Sequence, residues 1–224
     1  NPERISVFLD DEFSFGLYRV VAAWLEVGQE INEEKIRQLK KAEAGEKAYQ
    51  RALNFLSYRV RTEAEIRRNL KKHDTPEDFI EQVLERLQRN RLVDDLEFAK
   101  SWVDNRSEFR PRGRRALYSE LRQKGVDQKI IDEVLQDIDE GALAYQAAHK
   151  NARKYRRYEW PDFRKKLLGF LARRGFNYAV AAPVVEQVWA DTNFANNELG
   201  WKAVKTLDEM TLSAWSWEQK LKEN

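Results

Sequence analysis

The side chains most able to do chemistry in this sequence crowd between residues 150 and 174. Lys150, Arg153, Lys154, Arg156, Arg157, Arg164, Lys165, Lys166, Arg173 and Arg174 are opposed there only by Glu159 and Asp162. Guanidinium and ammonium groups keep their protons near neutral pH, so the chemistry on offer is anion binding, not proton transfer or nucleophilic attack. A second cluster, Arg110, Arg112, Arg114 and Arg115, brackets Pro111 and Gly113. Such clusters repel themselves unless something anionic compensates them, as nucleic acid or an acidic protein face would. The plainer alternative is ion pairing on a solvated surface, worth roughly 0.3 kcal/mol per pair. Tyr155, Tyr158, Trp160 and Phe163 interleave with the larger cluster, as in the stacking platforms that hold single strands. They serve equally well as ordinary core, and Trp160-Pro161-Asp162 reads as a helix entry with a buried tryptophan.

Catalytic constellations are missing from the sequence. His73 and His149 are isolated, and no HExxH, GxSxG, phosphate-binding glycine loop or dinucleotide fingerprint occurs. Gly113 lies in a basic stretch where Walker spacing fails. Asp94-Asp95 is the one paired carboxylate with a distinctive setting, after Leu92-Val93 and before a helix, where capping is expected ahead of metal binding. The chain therefore reads as non-enzymatic, with no catalytic residue, cofactor or metal. Cysteine is absent from the 224 residues, which excludes disulfides, thiolate metal sites and cysteine nucleophiles. The 40 basic and 38 acidic residues leave a net charge of only +2, so a polyanion must be met by a local patch. No apolar run approaches the roughly 20 residues of a membrane helix, and no secretory signal pattern opens the chain. A cytoplasmic protein without membrane contact is expected.

The elements that position these cations repeat. Ile66 and Leu70 match Leu117 and Leu121, then Leu167 and Leu171, at a period of about 50 residues. Phe79, Ile130 and Val180 follow, then Val83-Leu84, Val134-Leu135 and Val184-Val185, then Leu87, Ile138 and Val188. A turn recurs in register at His73-Asp74-Thr75, Lys124-Gly125-Val126 and Arg174-Gly175-Phe176. Helices upstream of each leucine pair, near 45–57, 95–107 and 141–155, make each unit three helices. Thr62 with Glu65, Thr75 with Asp78 and Asp94 with Glu97 fit N-terminal capping, with Pro76 in a first helical turn. Positive charge falls on each unit's first connection and second helix, and acidic charge on the third helices of the first two units, at Glu77, Asp78, Glu81 and Glu85, then Asp127, Asp132, Glu133 and Asp137. Pro183 lies where the last helix needs an interior residue, so a late start or a kink is expected there.

Before the repeats, Arg4–Leu9 and Phe13–Leu17 are β-prone runs around Asp10-Asp11-Glu12, a hairpin pattern. Val20, Val21, Trp24 and Leu25, then Ile31, Ile36 and Leu39, have helical spacing on either side of a break at Val27-Gly28. The fold class expected is mainly α: three tandem three-helix repeats forming an elongated curved body, with a small N-terminal β-hairpin and helix lead-in. The organisation expected is a lead-in over 1–44, repeats over 45–93, 94–140 and 141–190, and an extension over 191–224 to which the sequence assigns no role.

Several ordered stretches resemble the RecX family: Asn90-Arg91-Leu92-Val93-Asp94-Asp95-Leu96-Glu97-Phe98-Ala99, the Arg110–Arg115 loop leading to Leu117 and Leu121, Lys124-Gly125-Val126, and Phe170-Leu171-Ala172-Arg173-Arg174-Gly175-Phe176. The resemblance covers about residues 4–190. It implies tandem three-helix repeats and a monomer that lies in the groove of a RecA recombinase filament on DNA, limiting filament extension, recombination and strand exchange. It also implies that the cations named above meet the filament, with single- or double-stranded DNA touched directly or through it. A helical-repeat protein that binds nucleic acid without recombinase, and a scaffold joining two proteins, are the alternatives the residues leave open.

Overall fold

The computed structural model describes residues 3–191 and consists of a two-stranded hairpin followed by ten helices. The part of the expected extension at 192–224 lies outside the described residues. The described residues form two compact units: one within residues 3–104 with 118–136, the other from 105–117 with 137–191. No helix among the described residues is long and apolar enough to cross a membrane.

In the first unit, β1 (Arg4–Leu9) pairs antiparallel with β2 (Glu12–Tyr18). Asp10 and Asp11 both take positive φ, 51° and 67°, as the tight turn between right-twisted strands requires. A register shift at Val7/Phe8 leaves Phe8 edge-on to Phe13. Leu17 is the inward anchor, buried with Ala22 and Leu39. The hairpin is tied to α2 (Glu33–Leu56) by Glu43, which accepts from the Tyr18 N–H and the Arg4 guanidinium, each at 2.7 Å.

The lead-in departs from its expected form. Only one helical turn, α1 (Arg19–Ala22), forms before Gly28, and Trp24 is 87% exposed instead of facing a core. The second helix, α2, begins at the Asn32 cap and runs unbroken past residue 44, where the lead-in was expected to end. Lys, Ala and Glu around Gly45 favour helix enough to absorb one glycine, which costs about 1 kcal/mol against alanine, and a Cβ at Gly45 would meet the Phe79 ring at 3.4 Å.

The first repeat combines α2 with α3 (Glu63–Lys71) and α4 (Glu77–Arg89) around Ala48, Tyr49, Ala52, Ile66, Leu70, Ile80, Val83, Leu84 and Leu87. The second comprises α5 (Asp95–Phe109), α6 (Arg114–Lys124) and α7 (Gln128–Gln136). The third, in the second unit, is α8 (Glu140–Ala152), α9 (Trp160–Arg173) and α10 (Tyr178–Ala190), packed around Ala144, Ala148, Phe163, Leu167, Leu171, Val185 and Val188. Every leucine-class pair of the repeat is fully buried. At the third helices the fully inward positions are Ile80, Ile131 and Ala181, while their aligned neighbours Phe79, Ile130 and Val180 are half-buried, a one-residue rotation of the expected face.

The recurring turn has one backbone form. The N–H of Thr75, Val126 and Phe176 reaches back to the carbonyl of Leu70, Leu121 and Leu171, at 3.2, 3.2 and 3.1 Å. Asp74, Gly125 and Gly175 occupy the left-handed position between, with φ of 54°, 84° and 88°. Two capping expectations change. The N-cap of α4 is Pro76, one residue after Thr75, and no side chain caps it, because Pro76 itself holds extended ψ. The last helix starts at Tyr178, ahead of Pro183: Asn177 Oδ1 accepts from the Val180 N–H, and the burial of Ala181, Val184 and Val185 outweighs the single backbone bond proline removes.

Candidate nucleic-acid interface

The repeats are joined by two locks of the same design, one inside each unit. At the first, Asp94 Oδ1 caps its own helix α5, accepting from Leu96 N at 2.9 Å and Glu97 N at 3.0 Å. Asp95 turns the other way and accepts from Glu63 N, capping α3 of the preceding repeat at 2.9 Å. The Thr62 hydroxyl donates to the Lys124 carbonyl at 2.7 Å, and the Gly125 turn lies so close to α3 that a Cβ there would meet Ala64 Cβ at 2.3 Å. At the second lock Asp139 caps α8 through Ala142 N, Glu140 accepts from Arg114 N at the start of α6, Gly113 N–H donates to the Arg174 carbonyl at 2.9 Å, and a Cβ on Gly175 would meet Ala116 Cβ at 2.4 Å. The paired carboxylates thus belong to the joints. His149 stacks on Tyr145 and His73 is exposed in its turn. Among the described residues no group of three or more His, Asp or Glu could hold a metal ion.

All fourteen candidate cations fall in the second unit. Lys150 is on the last turn of α8; Arg153, Lys154, Arg156 and Arg157 occupy the turn before α9; Arg164, Lys165, Lys166 and Arg173 lie on α9, and Arg174 is its C-cap. Arg110 and Arg112 flank Pro111 in the loop between α5 and α6, and Arg114 and Arg115 open α6. The second lock draws part of this set together. Arg174 Nη1 reaches the Pro111 carbonyl at 3.4 Å, and the Arg174 guanidinium is held below its ordinary pKa by burial and by the positive charge of Arg112 and Arg110. Lys150, Arg153, Lys154, Lys165 and Arg173 are exposed, and their side chains form no hydrogen bond or ion pair among the described residues.

The aromatic residues of this region divide between two roles. Phe163 is fully buried core, with the half-buried Trp160 and the exposed Trp189 packed on it at centroid distances of 6.4 and 4.8 Å. Tyr158 is covered by cations: Lys166 Nζ sits 4.5 Å and the Arg157 guanidinium 5.3 Å from its ring centre. Those charges pull the Tyr158 phenol below its usual pKa, the Arg157 hydrogen bond most of all. Arg164 donates to the Tyr178 hydroxyl at 2.8 Å.

In the first unit Arg4, Arg37, Arg59, Arg67, Lys71, Arg86, Arg89 and Lys124 pair with carboxylates, while others such as Lys35 and Lys47 form no ion pair. Arg67 bridges α3 to Glu77 and Glu81 of the acidic α4, and those contacts raise its pKa. In the third repeat Lys150, Arg153, Lys154, Arg157, Arg164, Lys165, Lys166, Arg173 and Arg174 have no carboxylate partner among the described residues. Two features of the site escaped the sequence reading: Asp95 and Glu140 as caps across repeats, and Ala116 standing where register with the first repeat has Glu65. Aligning Asp94-Asp95 with Asp139-Glu140, and the loops before α3 and α6, was the signal that would have found them.

Comparison with known proteins places these features in a family. Three family models match in order: RecX, first three-helix domain, over 48–87; RecX, second three-helix domain, over 94–135; and RecX, third three-helix domain, over 139–185. The Regulatory protein RecX of Bacillus velezensis is 32% identical over 203 residues, covering 88% of this chain and 76% of its own length. That of Mycolicibacterium vanbaalenii is 42% identical over 150 residues, covering 63% and 82%. A crystal structure of regulatory protein RecX matches with a TM-score of 0.69 at 31% identity, over 85% of this chain and 95% of that one. RecX from Lactobacillus salivarius gives 0.60 at 27% identity, over 66% and 97%.

Proposed function

The chain belongs to the RecX family of regulatory proteins, and from that premise we propose that it binds RecA recombinase filaments on DNA and restrains recombinase activity, recombination and strand exchange without catalysing a reaction. The observation that carries the proposal is the density of third-repeat cations, ten against two carboxylates between residues 150 and 174, of which Lys150, Arg153, Lys154, Lys165 and Arg173 are exposed and have no carboxylate partner among the described residues. Uncompensated charge of one sign on a folded surface lowers stability by self-repulsion and is relieved by an anionic partner. In this reading Lys150, Arg153, Lys154, Arg156, Arg157, Arg164, Lys165, Lys166, Arg173 and Arg174, with Arg110, Arg112, Arg114 and Arg115, form the contact face. The protein acts as a cytoplasmic monomer, and DNA is met directly or through the filament.

Co-sedimentation with recombinase filaments, and the DNA-dependent ATPase of those filaments, test the proposal. Binding and inhibition at or below one molecule per recombinase protomer are expected. Replacing Arg153, Lys154, Lys165 and Arg173 with Gln, all exposed and unpaired, should weaken both at least tenfold. A protein that neither sediments with filaments nor slows their ATPase overturns it. A second reading, nucleic-acid binding without recombinase, is favoured by the convergence of Arg110, Arg112 and Arg174 at one joint. It expects DNA affinity that falls steeply with salt and filament effects no stronger than that affinity explains.

A further inference from the structure

The lead-in carries a surface whose chemistry is the reverse of the basic face. Asp10, Asp11, Glu12, Glu26, Glu30 and Glu33 are exposed and form no ion pair among the described residues, and the only cation in the sequence between residues 8 and 34 is Arg19. Large apolar side chains are exposed in the same stretch: Phe8 and Phe13, which meet edge-on, Trp24, and Val27, which nothing covers. Part of this set converges on a cavity of about 1060 Å³ between the hairpin turn and the chain from Val27 to Asn32. Phe8, Leu9, Val27, Ile31 and Ile36 give it an apolar wall. Its charged groups are Asp10, Asp11 and Glu30, and no Lys or Arg lines it. Both sides are fixed by local bonds and turns. Asp10 and Asp11 hold the left-handed hairpin turn, Gly28 turns the opposite side with a φ of 83°, and Gln29 Oε1 accepts from the Glu26 N–H at 3.3 Å before Asn32 caps α2.

We propose that this cavity docks a basic, apolar segment of a second protein, whose Lys or Arg side chains meet Asp10, Asp11 and Glu30 while its apolar side chains cover Phe8 and Val27. Charge selects the occupant. Six unpaired carboxylates repel nucleic acid and anionic lipid alike. A second copy of this chain docked through the same surface would set those six against another six, because a two-fold interface brings each patch onto itself. Size argues against a small molecule, since such sites run to roughly 300–1,000 Å³ and are largely enclosed by apolar side chains, whereas this cavity has acidic groups on its rim. Exposed apolar residues rimmed by charge are the mark of a protein contact, and the complementary charge of the partner speeds encounter and rejects acidic competitors. The turns and bonds that shape the cavity are in place in the free chain, so little ordering opposes docking. This surface belongs to the first unit and needs neither recombinase nor the cations of the second unit.

Fluorescence anisotropy of a labelled peptide of repeating Lys-Leu-Ser, titrated with the full chain in the absence of DNA and recombinase, tests this. Saturable binding is expected. It should vanish when Glu replaces Lys in the peptide and weaken about tenfold when Ser replaces Leu. Asp10→Asn with Asp11→Asn and Glu30→Gln should weaken binding about tenfold and flatten its dependence on salt. Asparagine accepts the left-handed backbone of the hairpin turn, so this variant keeps its fold. Val27→Ser changes a side chain that nothing covers in the free chain, and should weaken binding about fivefold to tenfold at parental stability, the loss of one newly buried valine. Asp104→Asn with Glu133→Gln and Asp137→Asn, exposed carboxylates elsewhere without ion pairs among the described residues, is the charge-matched control and should change affinity less than about twofold. No saturable binding, unchanged affinity in both cavity variants, or an equal loss in the control overturns the site. Equal affinity for the Glu peptide overturns the charge assignment. Sedimentation velocity of the chain alone gives the remaining outcome: dimerisation that rises with concentration and is abolished by Val27→Ser would assign the cavity to a second copy and overturn the basic partner.

Discussion

Replacing Gly175 with Ala probes the lock by adding one methyl group where two separate penalties act. The φ of +88° is left-handed, which costs an L-residue about 1–2 kcal/mol. The new Cβ would also stand 2.4 Å from Ala116 Cβ, 2.6 Å from its backbone nitrogen and 3.0 Å from its Cα, far inside carbon contact distance. Forced overpacking of that kind costs about 1–3 kcal/mol, so the expected total is about 2–5 kcal/mol. Gly28→Ala supplies the reference, because its φ is +83° and nothing lies within 4 Å, leaving the conformational penalty alone. Gly125→Ala resembles Gly175→Ala in size but differs in cause: its close neighbour is the Ala64 Cβ at 2.3 Å, with Ala64 Cα a tolerable 3.8 Å away. Ala64→Gly should therefore rescue Gly125→Ala in a double-mutant cycle, with a coupling of about 1–2 kcal/mol, whereas Ala116→Gly should leave Gly175→Ala unrescued because the backbone nitrogen still obstructs. Urea unfolding followed by circular dichroism measures all seven variants, the five single and two double substitutions. If Gly175→Ala costs no more than Gly28→Ala, or if Ala116→Gly rescues it fully, the close backbone approach that defines the second lock is refuted.

The first lock makes its own predictions. Hydrogen bonds from Arg59 and Lys124 overcome burial and hold the Glu65 carboxyl down at about 2 against an ordinary 4.5. A depressed folded pKa gives stability that is present above the unfolded value and lost as pH falls from about 4.5 toward 2. Glu65→Gln should thus cost about 1–3 kcal/mol at pH 7 and approach parental stability by pH 2, and equal effects at both pH values in urea melts would contradict the pairing. Burial raises the Asp95 pKa, with Glu63, Asp94 and Glu65 adding to it, so Asp95→Asn, which retains an acceptor for Glu63 N, should be neutral or stabilising at pH 7. Asp95→Ala, which loses the cap, should cost about 1 kcal/mol; a larger loss for Asn than for Ala would refute the cap. Thr62→Val removes a fully buried hydroxyl that both donates to Lys124 O and caps Glu65 N, and should lower stability by about 1–3 kcal/mol in the same melts.

The repeat was legible because burial enforces it: Ile66, Leu117 and Leu167 must point inward, and their spacing carries through any choice of surface residues. The turn was legible for the same kind of reason, since the left-handed position accepts glycine freely and aspartate at modest cost. The third-helix face was misplaced by one residue because both members of Phe79-Ile80, Ile130-Ile131 and Val180-Ala181 are apolar and only packing chooses between them. Trp24 misled for the opposite reason, an apolar residue at helical spacing in a segment with too few neighbours to sustain a helix. At the candidate site the cations were plain as composition. The approach of their two segments was not, since Arg110 and Arg174 are 64 positions apart and the contacts between those segments, Gly113 N–H to the Arg174 carbonyl and Arg174 Nη1 to the Pro111 carbonyl, carry no sequence signal.

That backbone contact explains how the second lock closes where the first uses side chains. Gly113 and Arg174 are bonded through main-chain atoms, Gly175 seats directly on α6, and Glu140 satisfies the Arg114 N–H. At the first lock the corresponding bond comes from the Thr62 side chain, and Glu65 draws Arg59 and Lys124 across the joint. Salt should therefore act on the two locks with opposite sign. Raising ionic strength screens attraction at the first and repulsion at the second, over a Debye length that shrinks from about 10 Å at 0.1 M to about 3 Å at 1 M. Hydrogen exchange of the Gly113 amide should slow between those concentrations while that of Glu63, capped by Asp95 beside the paired cations, should quicken. Amides that respond in the same direction would mean that the charge difference between the locks has no energetic consequence.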